Sequence, residues 1–108
     1  MLDAKVHFVS VLSFTIKPED FPGLSREATL LAQRRGPTIH GLVEAIVLGN
    51  EEKTQLLMVS QWASRQSWSA AQWDEDVGRS LSNLVETAES FEVRSFEPVA
   101  IVRTAAGE

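Results

Sequence analysis

The chain has 108 residues, a net charge of −5 and no cysteine, and these totals exclude several classes of protein. Without cysteine there is no disulfide, thiolate metal site or cysteine nucleophile. Acidic and basic residues are interspersed, so the clustered lysine and arginine that bind a nucleic-acid backbone are missing. No apolar run approaches the roughly 18–20 residues of a membrane span, and no signal peptide is evident. We therefore expect a cytoplasmic protein with a single domain at residues 1–103 and a short tail at residues 104–108.

The first predicted element is a strand over Val6–Ile16, which is rich in β-branched and aromatic residues. Pro18 cannot donate to a strand ladder and ends it. A helix over Leu24–Arg35 follows, because its apolar residues recur at helical spacing, and Gly36 and Pro37 terminate that helix.

Two further strands, Ile39–Leu48 and Thr54–Trp62, are joined by a polar hairpin. Ser64 offers a hydroxyl at the start of the next helix, which extends to about Ala88 and which the acidic residues before Gly78 can interrupt. The last predicted strand spans Phe91–Val102, where the internal proline is typical of an edge strand or a bulge.

The element order β-α-β-β-α-β predicts an α+β, ferredoxin-like fold, with an antiparallel sheet and both helices on one face. The other face of the sheet would stay apolar and uncovered in a single copy of the chain. A second copy is the simplest way to cover it, so we expect a homodimer formed through the open sheet face.

The corner between the third strand and the second helix, Ser60-Gln-Trp-Ala-Ser-Arg-Gln-Ser-Trp68, resembles the antibiotic biosynthesis monooxygenase family of dimeric α/β barrels. The length and element order agree with that family over nearly the whole chain, and Phe96–Val102 resembles its final strand. The resemblance implies a dimeric α/β barrel with a pocket in each subunit between sheet and helices. It also implies oxygenation of an aromatic or polyketide-type compound by molecular oxygen, with no flavin, metal or other cofactor.

The chain departs from two patterns within that family. The haem-degrading branch uses an Asn on the first strand, a Trp at the corner and a His on the second helix. Trp62 matches, but Val11 stands at the Asn position and the helix has no His, which disfavours haem degradation. Many other members place a His just after the corner, where this chain has Ala70-Ala-Gln-Trp73. A noncatalytic ligand-binding or dimerisation module and a polyketide cyclase-like enzyme are therefore open alternatives.

Trp62 is the first candidate catalytic residue, because an indole at a strand end can stack on a planar substrate and donate its N–H. It could equally plug the junction between helix and sheet. If Trp62 faces the helices, the resemblance suggests that the odd positions of the first strand do so too, which brings His7 toward the cavity. His7 is then the second catalytic candidate, as a proton carrier, against the alternative of a solvated strand-end histidine. The expected substrate-binding residues are Val11, Ser13, Gln61 and Trp73.

Metal binding would require clustered histidines and carboxylates, and two distant histidines, His7 and His40, do not supply them. Trp68 is expected in the core. Glu44 and Arg94 lie within strands, where each either faces solvent or pairs across the sheet or the dimer.

Overall fold

The structure, a computed structural model, describes residues 6–102 and residue 104. Two short 3-10 turns flank the first helix, at Pro18–Asp20 and Gly36–Thr38. The regular elements in chain order are β1 (Phe8–Thr15), α1 (Phe21–Arg35), β2 (Leu42–Gly49), β3 (Gln55–Trp62), α2 (Arg65–Ala71), α3 (Glu75–Thr87) and β4 (Ser90–Phe96). The predicted α+β, ferredoxin-like order is confirmed, with the second helix divided into two.

The four strands form one antiparallel sheet in the order β2-β3-β1-β4. Side chains alternate between the two faces of a strand, so the even positions of β1 all point the same way. Phe8 and Phe14 on that side are 3% and 1% exposed, and Phe14 packs in the core. We call this surface the helix-side face, and the opposite surface, which carries the odd positions of β1, the open face.

The core lies between the helix-side face and helices α1 and α3. Phe14 and Leu56 from the sheet meet Leu24 and Ala28 of α1 and Leu84 of α3, and none of the five is more than 6% exposed. The two α1 residues are four positions apart and therefore share one helix face. Full burial of a side chain such as leucine contributes about 1.5–3 kcal/mol, so this cluster fixes the packing of both helices on the sheet.

The predicted interruption of the second helix occurs before Gly78. Ser64 caps α2, since its Oγ accepts from the backbone N–H of Ser67 at 3.0 Å. Asp74 caps α3 in the same way, with Oδ1 accepting from the N–H of Val77 at 3.0 Å. The acidic segment therefore starts a new helix, and Gly78 lies inside that helix.

Two predicted strand boundaries were wrong by three residues or more. β2 begins at Leu42 and not at Ile39, because the chain first makes a 3-10 turn and Gly41 takes a φ of 85° that a strand cannot accommodate. β4 ends at Phe96 and not at Val102, because Pro98 has no N–H to continue the ladder. Thr104 is exposed and outside regular structure, and the rest of the predicted tail lies outside the described residues. In the described part of the chain, no helix combines the length and apolarity that a membrane crossing requires.

Candidate functional site

A cavity of about 140 Å³ lies between the helix-side face and the helices, and it opens to solvent. Most of its wall is aliphatic, with Leu12 and Met58 from the sheet and Leu31 and Leu81 from α1 and α3. Ligand sites are commonly concave and apolar, with a few polar groups that fix orientation. This cavity therefore has the general character of a small-molecule site.

Trp62 and Trp68 form the aromatic part of the wall, at the corner between β3 and α2. Trp62 is 5% exposed, and its Nε1–H donates to the Oγ of Ser60 at 2.8 Å. The ring of Trp68 packs on that of Phe8, with centroids 5.1 Å apart and planes tilted by 43°. The structure therefore places at the cavity both Trp62, the first catalytic candidate, and Trp68, which the sequence had suggested only for the core.

Gly41, just before β2, makes close contact with this corner. The carbonyl of Gly41 accepts from the N–H of Ala63 at 2.8 Å, immediately after Trp62. A Cβ at position 41 would fall inside contact distance of the Oγ and Cβ of Ser67, so α2 approaches the backbone of Gly41 closely. Only glycine combines this approach with a positive φ at low cost.

The predicted register of β1 was wrong. Phe8 pairs with Trp62, so the even positions of β1 share the face of Trp62. Val11 and Ser13 consequently point to the open face, as does Gln61, which pairs with Val9. The structure places none of these three predicted substrate-binding residues in the wall of the cavity.

The two histidines also lie away from the cavity. His7 is exposed just before β1, where its backbone N–H donates to the carbonyl of Trp62 at 2.9 Å. His40 is exposed and lines a separate shallow depression together with Trp73, which is 86% exposed. The structure therefore brings His7 and Trp62 close in the backbone, but the predicted position of His7 at the cavity was wrong.

Arg35 is the charged residue among the described residues that line the cavity. Its Nη2 pairs with Oδ2 of Asp74, while its Nε is buried and has no hydrogen-bond partner within residues 6–102. Arg34 makes a two-pronged contact with Asp76, with Nε–Oδ2 and Nη2–Oδ1 distances of 3.0 and 3.1 Å. These pairs connect the end of α1 with the start of α3 at one edge of the cavity.

Hydrogen bonds at this edge lower the pKa of the Asp74 and Asp76 carboxyls. The pKa of Asp74 is lowered, chiefly by the hydrogen bond from the backbone of Val77 and then by that from Arg35. The pKa of Asp76 is lowered by its hydrogen bond from Arg34. Both carboxylates therefore serve as structural anions and are poorly suited to carry protons near neutral pH.

Two other predictions from the sequence concern metals and charges on the sheet. Within the described ranges, no group of three histidine, aspartate or glutamate residues could hold a metal ion. Glu44 is exposed, and Arg94 pairs with Glu92 on its own strand at 3.1 Å, so Glu44 and Arg94 do not pair with each other in the described chain.

No family model matches the sequence, and no curated protein sequence matches it significantly. Solved structures do match. A candidate antibiotic biosynthesis monooxygenase from Deinococcus radiodurans has a TM-score of 0.77 at 12% identity, covering 90% of this chain and 97% of that chain. A conserved protein from Methanosarcina mazei has a TM-score of 0.77 at 16% identity, with 87% and 94% covered.

A third structure contains a ligand. It is the monooxygenase ActVA-Orf6 of Streptomyces coelicolor in complex with nanaomycin D, with a TM-score of 0.77 at 21% identity, covering 95% of this chain and 96% of that chain. The chain therefore has the fold of the antibiotic biosynthesis monooxygenases. The resemblance predicted from the Trp62 corner is confirmed at the level of the fold.

Proposed function

We propose that the protein is a monooxygenase that oxidises an aromatic or polyketide-type small molecule without a tightly bound cofactor. The observation that supports this most is the apolar cavity behind Trp62, in a fold shared with a monooxygenase whose structure contains the ligand nanaomycin D. Neither the substrate nor the reaction follows from the fold alone.

In this proposal the substrate supplies the electrons. An electron-rich anion, such as the enolate of an anthrone, transfers an electron to oxygen inside the cavity. When a ring CH₂ becomes a carbonyl, one oxygen atom enters the substrate and the other leaves as water with both hydrogens, so no external reductant is needed. The apolar wall lowers the polarity around the reacting atoms, and Arg35 lines the same cavity.

A second candidate function is noncatalytic binding of a small ligand. It is favoured by a specific observation, since both His7 and His40 are exposed and neither lines the cavity. A substrate that is not already acidic would lack a general base there. In that function the ligand leaves the cavity unchanged.

Oxygen uptake separates the two functions. Purified protein should consume oxygen with anthrone or a hydroquinone, and Trp62→Phe should lower the rate because it alters the cavity wall. Trp73→Phe is the matched control, since Trp73 is exposed and outside the cavity. Binding of these compounds without oxygen uptake or conversion would support the ligand-binding function. Conversion without oxygen uptake would instead indicate a cyclase-like reaction, and equal losses in both variants would argue against a role for the cavity.

We also propose that the protein is a homodimer that associates through the open face. Val11 and Val59 lie opposite each other at the centre of that face, while Leu48 and Phe96 at its edges are 46% and 49% exposed. Contiguous apolar surface of this kind usually meets a partner, and an isologous pair covers the same patch on both copies.

Sedimentation equilibrium tests the dimer. The wild-type protein should have twice the 11.9 kDa mass of one chain. Val11→Glu should shift it to the monomer, because two buried carboxylates would face one interface. Ser82→Glu, on the exposed side of α3, is the control and should remain dimeric. A monomeric wild type, or an unaffected Val11→Glu protein, contradicts the proposal.

A further inference from the structure

Two serine hydroxyls lie side by side where the cavity meets the sheet. Ser10 of β1 and Ser60 of β3 are directly opposite each other in the antiparallel ladder, and both line the cavity. Ser10 is 2% exposed, and its side chain borders the cavity on the helix-side face. A hydroxyl in an apolar wall needs a hydrogen-bond partner, so a ligand oxygen that enters the cavity would meet two candidate donors there.

The hydrogen bond from Trp62 determines which further hydrogen bonds the Ser60 hydroxyl can make. Because the indole Nε1–H donates to the Oγ of Ser60 at 2.8 Å, that oxygen already accepts a hydrogen bond. A serine hydroxyl has one donor hydrogen and two acceptor lone pairs. The hydrogen of Ser60 is therefore free to donate into the cavity, and the indole restrains the orientation of the hydroxyl.

The spacing of the two serines suits a single oxygen atom. Directly opposite residues in an antiparallel pair have Cβ atoms about 4.5–5.5 Å apart. Two O–H···O bonds of about 2.8 Å that converge on one carbonyl or phenolic oxygen at about 120° place their donors about 4.8 Å apart. Side chains at this spacing can direct both hydroxyls at one ligand oxygen.

The volume and wall of the cavity limit the size and shape of the ligand that carries this oxygen atom. An apolar protein cavity of about 150 Å³ is known to accommodate one benzene ring, and this cavity measures about 140 Å³. Since it opens to solvent, further rings of a larger ligand would extend outward. Trp62 and Trp68 provide flat aromatic walls beside the ring.

We propose that Ser10 and Ser60 form a two-hydroxyl site that binds an oxygen attached directly to an aromatic ring, as in a phenol, a phenolate or a quinone, with Trp62 as the residue that positions Ser60. This inference deepens the proposed oxygenase function by assigning the group that the substrate presents to the sheet. It also applies to a ligand-binding protein that catalyses no reaction.

The test compares two nearly isosteric probes, 4-fluorophenol and 4-fluorotoluene, by ligand-observed ¹⁹F NMR. The readout is the ratio of their dissociation constants, Kd of the phenol over Kd of the toluene. A hydrogen bond contributes about 0.5–1.5 kcal/mol net, so Ser10→Ala or Ser60→Ala should raise the ratio about two- to tenfold. Trp62→Phe should raise it in the same direction by a smaller factor, because it frees the Ser60 hydroxyl without removing it.

Ser80→Ala is the matched control, because Ser80 is a buried serine of α3 outside the cavity wall. It should leave the ratio at the wild-type value. Ser60→Thr, which keeps a hydroxyl on a residue that suits strands, should also keep the ratio and separates the hydroxyl from any effect on folding. An unchanged ratio in both Ser10→Ala and Ser60→Ala, an equal change in Ser80→Ala, or no binding of either probe to the wild type would overturn the inference.

The binding test is independent of the oxygenase test. A shifted ratio in a protein that takes up no oxygen supports the two-hydroxyl site and contradicts the oxygenase proposal. Oxygen uptake together with an unchanged ratio supports the oxygenase proposal and rejects the site.

Discussion

Replacing Gly41 by alanine tests how the cavity corner is built. Gly41 has a φ of 85°, and an added Cβ would collide with the Oγ and Cβ of Ser67 on α2. The left-handed backbone costs an L-residue about 1–2 kcal/mol, and overpacking a close contact typically costs about 1–3 kcal/mol. We therefore expect Gly41→Ala to lower the free energy of unfolding by about 2–5 kcal/mol.

The assay is urea unfolding followed by circular dichroism, with Gly23→Ala as the control. Gly23 lies in α1 without a positive φ, and an added Cβ there would meet no atom within 4 Å, so its replacement should not destabilise the protein. A Gly41→Ala protein within about 0.5 kcal/mol of wild type would refute the reasoning, because surface changes without a specific mechanism fall in that range.

A second substitution separates the steric cost from the backbone cost. Ser67→Gly removes both colliding atoms and leaves only the Cα of Ser67, at 3.8 Å from the added Cβ of residue 41. The double variant should recover the steric part, which gives a favourable coupling energy of about 1–3 kcal/mol, while the cost of the positive φ persists. If the changes in unfolding free energy of the two single variants simply add in the double variant, Ser67 does not collide with the Cβ added at position 41.

Three further predictions concern the helices beside the cavity. Gly78→Ala should stabilise the protein by about 0.5–1 kcal/mol, because Gly78 is inside α3 with open space around it; a thermal melt with a lower Tm would contradict this. Ser64→Ala should cost about 1 kcal/mol through loss of the α2 cap, whereas Ser64→Asp should retain most of the stability in the same urea assay. Asp74→Asn keeps a good cap but removes the charge paired with Arg35. Because the pKa of Asp74 is lowered on folding, its charge stabilises the native state above the ordinary carboxyl pKa and ceases to do so as pH falls through the lowered value. Asp74→Asn should therefore lose less stability than wild type as the pH falls below the ordinary carboxyl pKa in urea titrations, and parallel losses would show that the charge of Asp74 does not stabilise the native state.

Element order was predictable because each strand and helix carries a local signal. The β-branched and aromatic run of β1, the spacing of Leu24 and Ala28 in α1 and the hydroxyl of Ser64 each reflect physics confined to a few residues. The break before α3 was partly predictable for the same reason, since Asp74 is a good cap.

The face of β1 was not predictable from its periodicity, since both faces are apolar. Val9 and Val11 on one side differ little in hydrophobicity from Phe8 and Phe14 on the other. The pairing of β1 with β3 decides which face of β1 meets the helices, because Phe8 lies opposite Trp62. The larger side chains at the even positions were a usable signal, because the core between sheet and helices needs more volume than a strand surface.

Ser10 and Ser60 were missed because a serine in an apolar strand carries no motif. Ser60 could have been assigned to the cavity from the period of a strand, since it is two residues before Trp62 and must share its face. The assignment of Ser10 depends on the pairing of β1 with β3, which joins residues fifty positions apart. Long-range register of this kind is set by the whole sheet and not by neighbouring residues.

The hydrogen bond between Trp62 and Ser60 changes the role that the sequence suggested for the indole. Direct donation from Nε1 to a substrate would require that 2.8 Å bond to break, and Ser60 would then lose its buried donor. It costs less for the indole to keep Ser60 oriented while the hydroxyl of Ser60 donates to the ligand. In the proposed two-hydroxyl site, Trp62 is therefore a wall residue that orients Ser60, and the two serines make the polar contacts. With both histidines outside the cavity, the proposed oxygenase reaction depends on substrates that lose a proton through their own acidity, which favours phenols and enols that are ionised near neutral pH.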